Sequence, residues 1–244
     1  MKTLEPEPIH ADEFPFLKRF RKYLGEFVYG GIDGSITTFA VVSGAVGAGL
    51  DSSIIIILGF ANLLADGFSM SVGAYLSKKS ERDNFRRHRD QEYWEVDNIP
   101  DKEKEEIRVI FREKGFEGDL LEQVVETITA DRDRWVGVMM KEELGMIEEA
   151  KSPLAIGGVT YVSFLAVGFI PLLVYVWDYM LGFPGDLFLW SSILTSFAFL
   201  IIGLLKTYVT DTSRIKGILE TLVLGAIAAS VAYFVGDFLE KLLS

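Results

Sequence analysis

Leu154-Ala-Ile-Gly-Gly-Val-Thr-Tyr-Val-Ser-Phe-Leu-Ala-Val-Gly-Phe-Ile-Pro-Leu-Leu-Val-Tyr-Val-Trp177 runs without one charged side chain. At a rise of about 1.5 Å per residue, about 20 such residues cross the hydrocarbon core of a bilayer, so this stretch predicts a membrane span. Four more apolar blocks lie on either side of it, at residues 27–50, 54–77, 187–206 and 217–238. Each approaches or exceeds span length, and together they predict an all-α integral membrane protein with five transmembrane helices. Half of the 244 residues are hydrophobic, yet the mean hydropathy is only +0.28, because the apolar residues are gathered in these blocks. The first block follows about 25 polar residues and carries Asp33, unlike a cleaved signal peptide, so the chain is expected to insert uncleaved.

Lys and Arg beside the blocks set the expected orientation. Lys18, Arg19, Arg21 and Lys22 precede the first, Lys78, Lys79, Arg82, Arg86, Arg87 and Arg89 follow the second, and Lys206, Arg214 and Lys216 lie between the fourth and fifth. Those three segments are expected in the cytoplasm. The connections Gly47–Ser53 and Asp178–Asp186 carry no Lys or Arg and are expected outside, with the C-terminus. The expected organisation is a polar N-terminal segment at 1–22, transmembrane helices 1 and 2 at 23–77, a cytoplasmic domain at 78–152, and helices 3–5 at 153–244.

The insertion at 78–152 holds 21 of the 35 acidic residues of the chain against 15 basic ones. Pro100, the Gly115 and Gly118 pair, and Ala130–Asp131 punctuate it into helices near 78–97, 101–114, 119–129 and 131–150. No breaker separates the first of these from the second membrane block, which predicts one long helix. A net charge of −11 argues against a nucleic-acid partner. With no cysteine and only His10 and His88, thiol catalysis, disulfides and zinc fingers are excluded, so any metal chemistry must rest on carboxylates helped by methionine.

Two sets of carboxylates stand where a solvated helix face does not explain them. In the membrane blocks, Glu26, Asp33 and Thr37 share one face of the first helix, and Asn62, Asp66 and Met70 recur every four residues on the second. Ionisable groups at membrane depth cost several kcal/mol unless paired, hydrated or protonated, so these residues are candidates for an ion path. Thioether beside carboxylate favours a first-row transition ion over magnesium or calcium. Nearby glycines, among them Gly30, Gly31 and Gly34, favour close helix packing. In the insertion, Glu103 and Glu106 fall on the arc of Ile107, Ile110 and Phe111, while Lys102, Lys104 and Arg108 point elsewhere. Glu92 and Glu95 lie with Phe85, His88 and Val96; Met139, Glu142 and Met146 line up with Trp135, and Glu143 borders that stripe. Helices that bury these stripes together bring the carboxylates together, and a bound cation relieves their repulsion.

Gly31-Ile-Asp-Gly-Ser-Ile-Thr-Thr-Phe-Ala-Val-Val-Ser-Gly and Ala65-Asp-Gly-Phe-Ser-Met-Ser-Val-Gly-Ala-Tyr-Leu-Ser resemble the first two spans of the vacuolar iron transporter family. Trp135-Val-Gly-Val-Met-Met-Lys-Glu-Glu-Leu-Gly and Gly168-Phe-Ile-Pro-Leu resemble later segments of it, so the resemblance covers about residues 22–240. It implies dimers of five-span subunits, an ion path between subunits, a helical cytoplasmic metal-binding domain, and export of Fe2+ and related divalent ions such as Mn2+, Co2+ or Zn2+ in exchange for protons. It also implies that Asp33 and Met70 are path ligands, and that Glu92, Glu95, Glu103, Glu106, Met139 and Glu143 bind metal in the domain. Met140, Glu142 and His88 rank below them. Where plant members carry a path glutamate, this sequence has Asn62, and it gains an acid at Asp66, one turn closer to Met70.

On this reading the metal ions are substrates and domain ligands, with no prosthetic group. The membrane is the cell membrane in a prokaryote and a vacuolar or organellar one in a eukaryote. A membrane-anchored metal sensor or store is the competing class, although it gives no role to Asp33 or Asp66. An enzyme is not expected: the only Glu-x-x-His spacing is Glu7-Pro8-Ile9-His10, and no phosphate-binding loop of the Gly-x-x-x-x-Gly-Lys type is present.

Overall fold

The computed structural model describes residues 21–243. Most of the segment expected at 1–22, with His10, Lys18 and Arg19, lies outside the described residues. Within them the protein is all-helical, without strands. The helices are α1 (Leu24–Gly47), α2 (Ser52–Asn98), α3 (Pro100–Glu113), α4 (Gly118–Thr129), α5 (Arg132–Val138), α6 (Pro153–Gly168), α7 (Leu173–Leu181), α8 (Leu187–Thr210) and α9 (Arg214–Leu243). A π-helical turn, Met139–Glu143, continues α5, and a 3-10 turn, Ile170–Leu172, joins α6 to α7. The helices fall into two compact units, Leu76–Pro153 and the described part of Met1–Tyr75 with Leu154–Ser244. The absence of a breaker is realised as a single 47-residue helix, α2, which belongs to one unit up to Tyr75 and to the other beyond it.

Among the described residues, four segments are long and apolar enough to cross a membrane: Ser52–Asn98, Pro153–Leu181, Leu187–Thr210 and Arg214–Leu243. α1 matches them in length, but Glu26, Asp33 and its glycines leave it less apolar. It packs against α8, α9 and the 3-10 turn. Close approach explains the glycines: a Cβ at Gly34 would lie 2.4 Å from the Phe164 carbonyl oxygen, and one at Gly47 would lie 2.1 Å from that of Tyr233. Backbones meet there without intervening side chains. Val42, Ala45, Ile55, Leu172 and Tyr175 form one buried cluster, and Phe39, Phe199 and Ala229 another. The third expected span is interrupted at Pro171, which has no N–H to donate; the Pro171 carbonyl is taken up by the Ser191 hydroxyl at 2.6 Å. Phe197, Ile201, Val223, Ile227, Val231 and Phe234 face outward. So large an exposed apolar surface suits hydrocarbon, not water.

In the polar unit, Val96, Ile107, Leu121, Val125, Ile128, Trp135, Val136, Met139 and Met140 make one core drawn from every helix of the unit. Ion pairs tie its edges. Arg108 grips Glu122 of α4 through two hydrogen bonds of 2.7 and 2.9 Å, and Arg132 grips Asp97 of α2 at 2.8 and 2.6 Å. Asp131 caps α5 by accepting from the Arg134 amide. The last helix stops at 143, not at the expected 150. Gly145 takes φ +63°, and the Met146 amide bonds back to the Met140 carbonyl, a glycine-based helix stop that the sequence reading overlooked.

Candidate metal centre

Glu92 and Glu95 leave α2 one turn apart, and Glu103 leaves the first turn of α3. Pro100 at the start of α3 folds the chain back at Ile99, so that the apolar faces with Val96 and Ile107 enter the same core. That packing carries the acids with it. One carboxylate oxygen from each of Glu92, Glu95 and Glu103 lies within 4.8 Å of the other two. Glu92 is 3% exposed and Glu103 fully buried. Glu92 Oε2 and both oxygens of Glu103 accept no hydrogen bond. A buried carboxylate without a donor normally costs several kcal/mol, and a second such group close by costs more; Glu95, half-buried, accepts from Gln91 Nε2 at 3.1 Å.

Glu106 and Glu143 complete the group electrostatically. Burial, and then Glu143, Glu95, Glu103 and Glu106, push the Glu92 carboxyl up to about 7. Burial, and then Glu106 and Glu95, push Glu103 up to about 7 against the opposing field of Lys102. Glu143 sits at the exposed rim and feels Glu106 and Glu95. Groups in this condition hold protons near neutrality and surrender them to a cation, since a divalent ion favours the ionised form of every carboxylate it touches.

Met139 and Met140 are buried in the core beside Val96 and Ile107, the neighbours in sequence of Glu95 and Glu106. The π turn separates Glu142 from Glu143. Its wider winding leaves Glu143 among the carboxylates while Glu142 pairs with Lys114. The α-helical spacing used on the sequence does not make that distinction. His88 is outside the converging set; its Nδ1 is 2.9 Å from the Asn84 carbonyl one turn back. Lys102 corrects an expectation. Its Cα points away from the apolar arc, but its flexible chain bends back, placing Nζ 2.9 Å from Glu106 Oε1 and 3.7 Å from Glu103 Oε1.

In the apolar unit, Asn62, Asp66 and Met70 are all half-buried on one side of α2, around the buried Leu63 and Gly67. Asp33 is half-buried on α1 and within electrostatic range of Asp66 on α2. The Thr37 hydroxyl donates to the Asp33 carbonyl at 2.9 Å, which keeps it on the α1 backbone. Glu26 is half-buried two turns before Asp33.

A family model described as "VIT family" matches residues 24–237. The chain is 34% identical over 225 residues to a protein named "Vacuolar iron transporter" from Toxoplasma gondii, covering 89% of this chain and 74% of that one. It is 34% identical over 228 residues to a protein of the same name from Plasmodium falciparum, with 91% and 84% covered. "Vacuolar iron transporter 1" of Arabidopsis thaliana is 31% identical over 234 residues, with 95% and 92% covered.

Proposed function

This chain belongs to the VIT family, and from that membership and the converging carboxylates of Glu92, Glu95 and Glu103 we propose that it is a proton-coupled antiporter moving divalent transition-metal ions out of the cytoplasm. Fe2+ is the preferred substrate on the names of its relatives, with Mn2+, Co2+ and Zn2+ as chemically similar alternatives. The cluster carries the reading, since the buried, donor-less oxygens of Glu92 and Glu103 beside a third carboxylate make sense around a cation.

In this proposal α1 is a fifth span beside the four more apolar ones, residues 78–152 and the N-terminus face the cytoplasm, and the C-terminus lies opposite. Glu92, Glu95, Glu103, Glu106, Met139 and Glu143, with Met140, collect the ion. Asp33, Asp66, Asn62 and Met70, with Glu26 toward one end, pass it across, and two subunits enclose the path. Proton exchange follows from the carboxylates. Without metal, an acid at membrane depth favours its protonated form; with metal it must release the proton. Inward protons and outward metal then alternate on the same groups.

Proteoliposomes containing the full chain test this. An imposed pH gradient should drive Fe2+ or Co2+ across the membrane, and Asp33→Ala should abolish metal-driven proton flux while the protein remains folded. Unchanged flux in that variant would refute the path assignment. Metal binding without any flux would favour a membrane-anchored sensor or store.

A further inference from the structure

Lys102 is tethered at the mouth of the carboxylate cluster. Its side chain is 64% exposed, yet its ammonium reaches one oxygen of half-buried Glu106 and approaches one of fully buried Glu103. Other cations of α3 turn away: Arg108 is engaged with Glu105 and Glu122, and Lys104 lies on the Glu122 side. Lys102 therefore brings positive charge to a set of anions that supplies no hydrogen-bond donors of its own. An ammonium on a four-carbon stem is a compact charge that can enter or leave without moving the backbone.

We propose that Lys102 is an intramolecular counter-cation, seated on Glu106 and Glu103 in the metal-free domain and displaced by the incoming divalent ion. The inference rests on the cluster being a metal site and adds how its occupancy is regulated. Glu103 belongs to the converging set and Glu106 acts on it electrostatically, so an ammonium seated on both opposes a cation entering the set and the two compete. Competition lowers apparent affinity by the fraction of time the carboxylates are occupied, and the returning ammonium hastens ion release. A domain that hands its ion onward needs that reversibility.

Competition fixes the sign of the test. If Lys102 competes, removing its charge tightens metal binding; if it merely holds Glu106 in position, removing it weakens binding. Co2+ titrations of the purified full chain would compare wild type with Lys102→Gln, Lys102→Arg and Lys104→Gln, with release timed by stopped-flow mixing with a chelator. An exposed pair of this spacing predicts binding about two- to fivefold tighter in Lys102→Gln, with slower release. Lys102→Arg should stay near wild type, and Lys104→Gln should not change. The gap between wild type and Lys102→Gln should narrow at high salt. Equal or weaker binding by Lys102→Gln overturns the proposal, as does equal tightening by Lys104→Gln, which would make the effect one of net charge. If Co2+ does not bind wild type, or binds a Glu92→Gln, Glu103→Gln double variant as well as wild type, the metal-site reading itself fails, and the Lys102 proposal with it.

Discussion

Replacing Glu103 with glutamine keeps the size and shape of a fully buried side chain while removing one of five mutually repelling charges. In the metal-free protein the change should stabilise the domain. A carboxyl raised from 4.5 to about 7 costs the ionised folded state about 3 kcal/mol at pH 8, at about 1.36 kcal/mol per pH unit. Solvent reaches Glu95 and Glu106 and screens part of this, leaving about 1–3 kcal/mol. Amide hydrogen exchange of α3 in the detergent-solubilised full chain would read it as roughly ten- to hundredfold slower local opening. Metal should act oppositely. Loss of an anionic ligand should weaken Co2+ binding by at least the roughly tenfold to hundredfold that follows loss of a supporting group, and the protection that metal gives wild-type α3 should largely vanish. A carboxylate with only a structural role would behave otherwise. If Glu103→Gln loosens the metal-free domain, or leaves Co2+ affinity within about twofold, the reasoning from buried, donor-less charge is wrong.

The raised carboxyls also set a pH window. Between 4.5 and about 7 the folded state holds more protons on Glu92 and Glu103 than the unfolded one, so the metal-free stability that these two groups contribute is fully present below 4.5 and is lost as pH rises through the window. Metal affinity runs the other way, about tenfold or more tighter at pH 8 than at pH 6; a flat Co2+ titration across that range would contradict it. Asp66→Asn should slow metal flux in proteoliposomes by removing the acid within range of Asp33, and adding Asn62→Glu should restore it if one carboxylate on that face suffices. Gly34→Val should prevent accumulation of folded protein, since its Cβ would lie 2.4 Å from backbone at Phe164. Gly73→Ala, with open space around it, should leave the yield of folded protein and its melting temperature in detergent unchanged.

Much of this architecture was legible because its main signals are strong and local. Span length and charge-free composition are one-dimensional properties, and continuity across residues 77 and 78 needed only the absence of glycine or proline there. The convergence of Glu92, Glu95 and Glu103 was also foreseeable, because apolar stripes on α2 and α3 must share a core and each acid shares its stripe. α1 was harder to read. Its packing depends on glycines at which backbones touch, and these dilute the hydropathy by which a span is recognised.

What helix spacing alone does not give has a common cause: each feature depends on a departure from the ideal α-helix or on side-chain reach. A wheel at 100° per residue places both Glu142 and Glu143 near Met139. Only the π turn, closed by the Leu144 amide on the Met139 carbonyl, sends them to different partners. That winding has no signature in residue type. Lys102 was misjudged for a different reason, since a wheel records where a Cα points, whereas a lysine ammonium swings several ångströms from it. Both features concern charge that the sequence displays but that helix spacing alone does not place. The core that gathers the acids is legible in the sequence; the balance of charge around them is set by helix winding and side-chain reach.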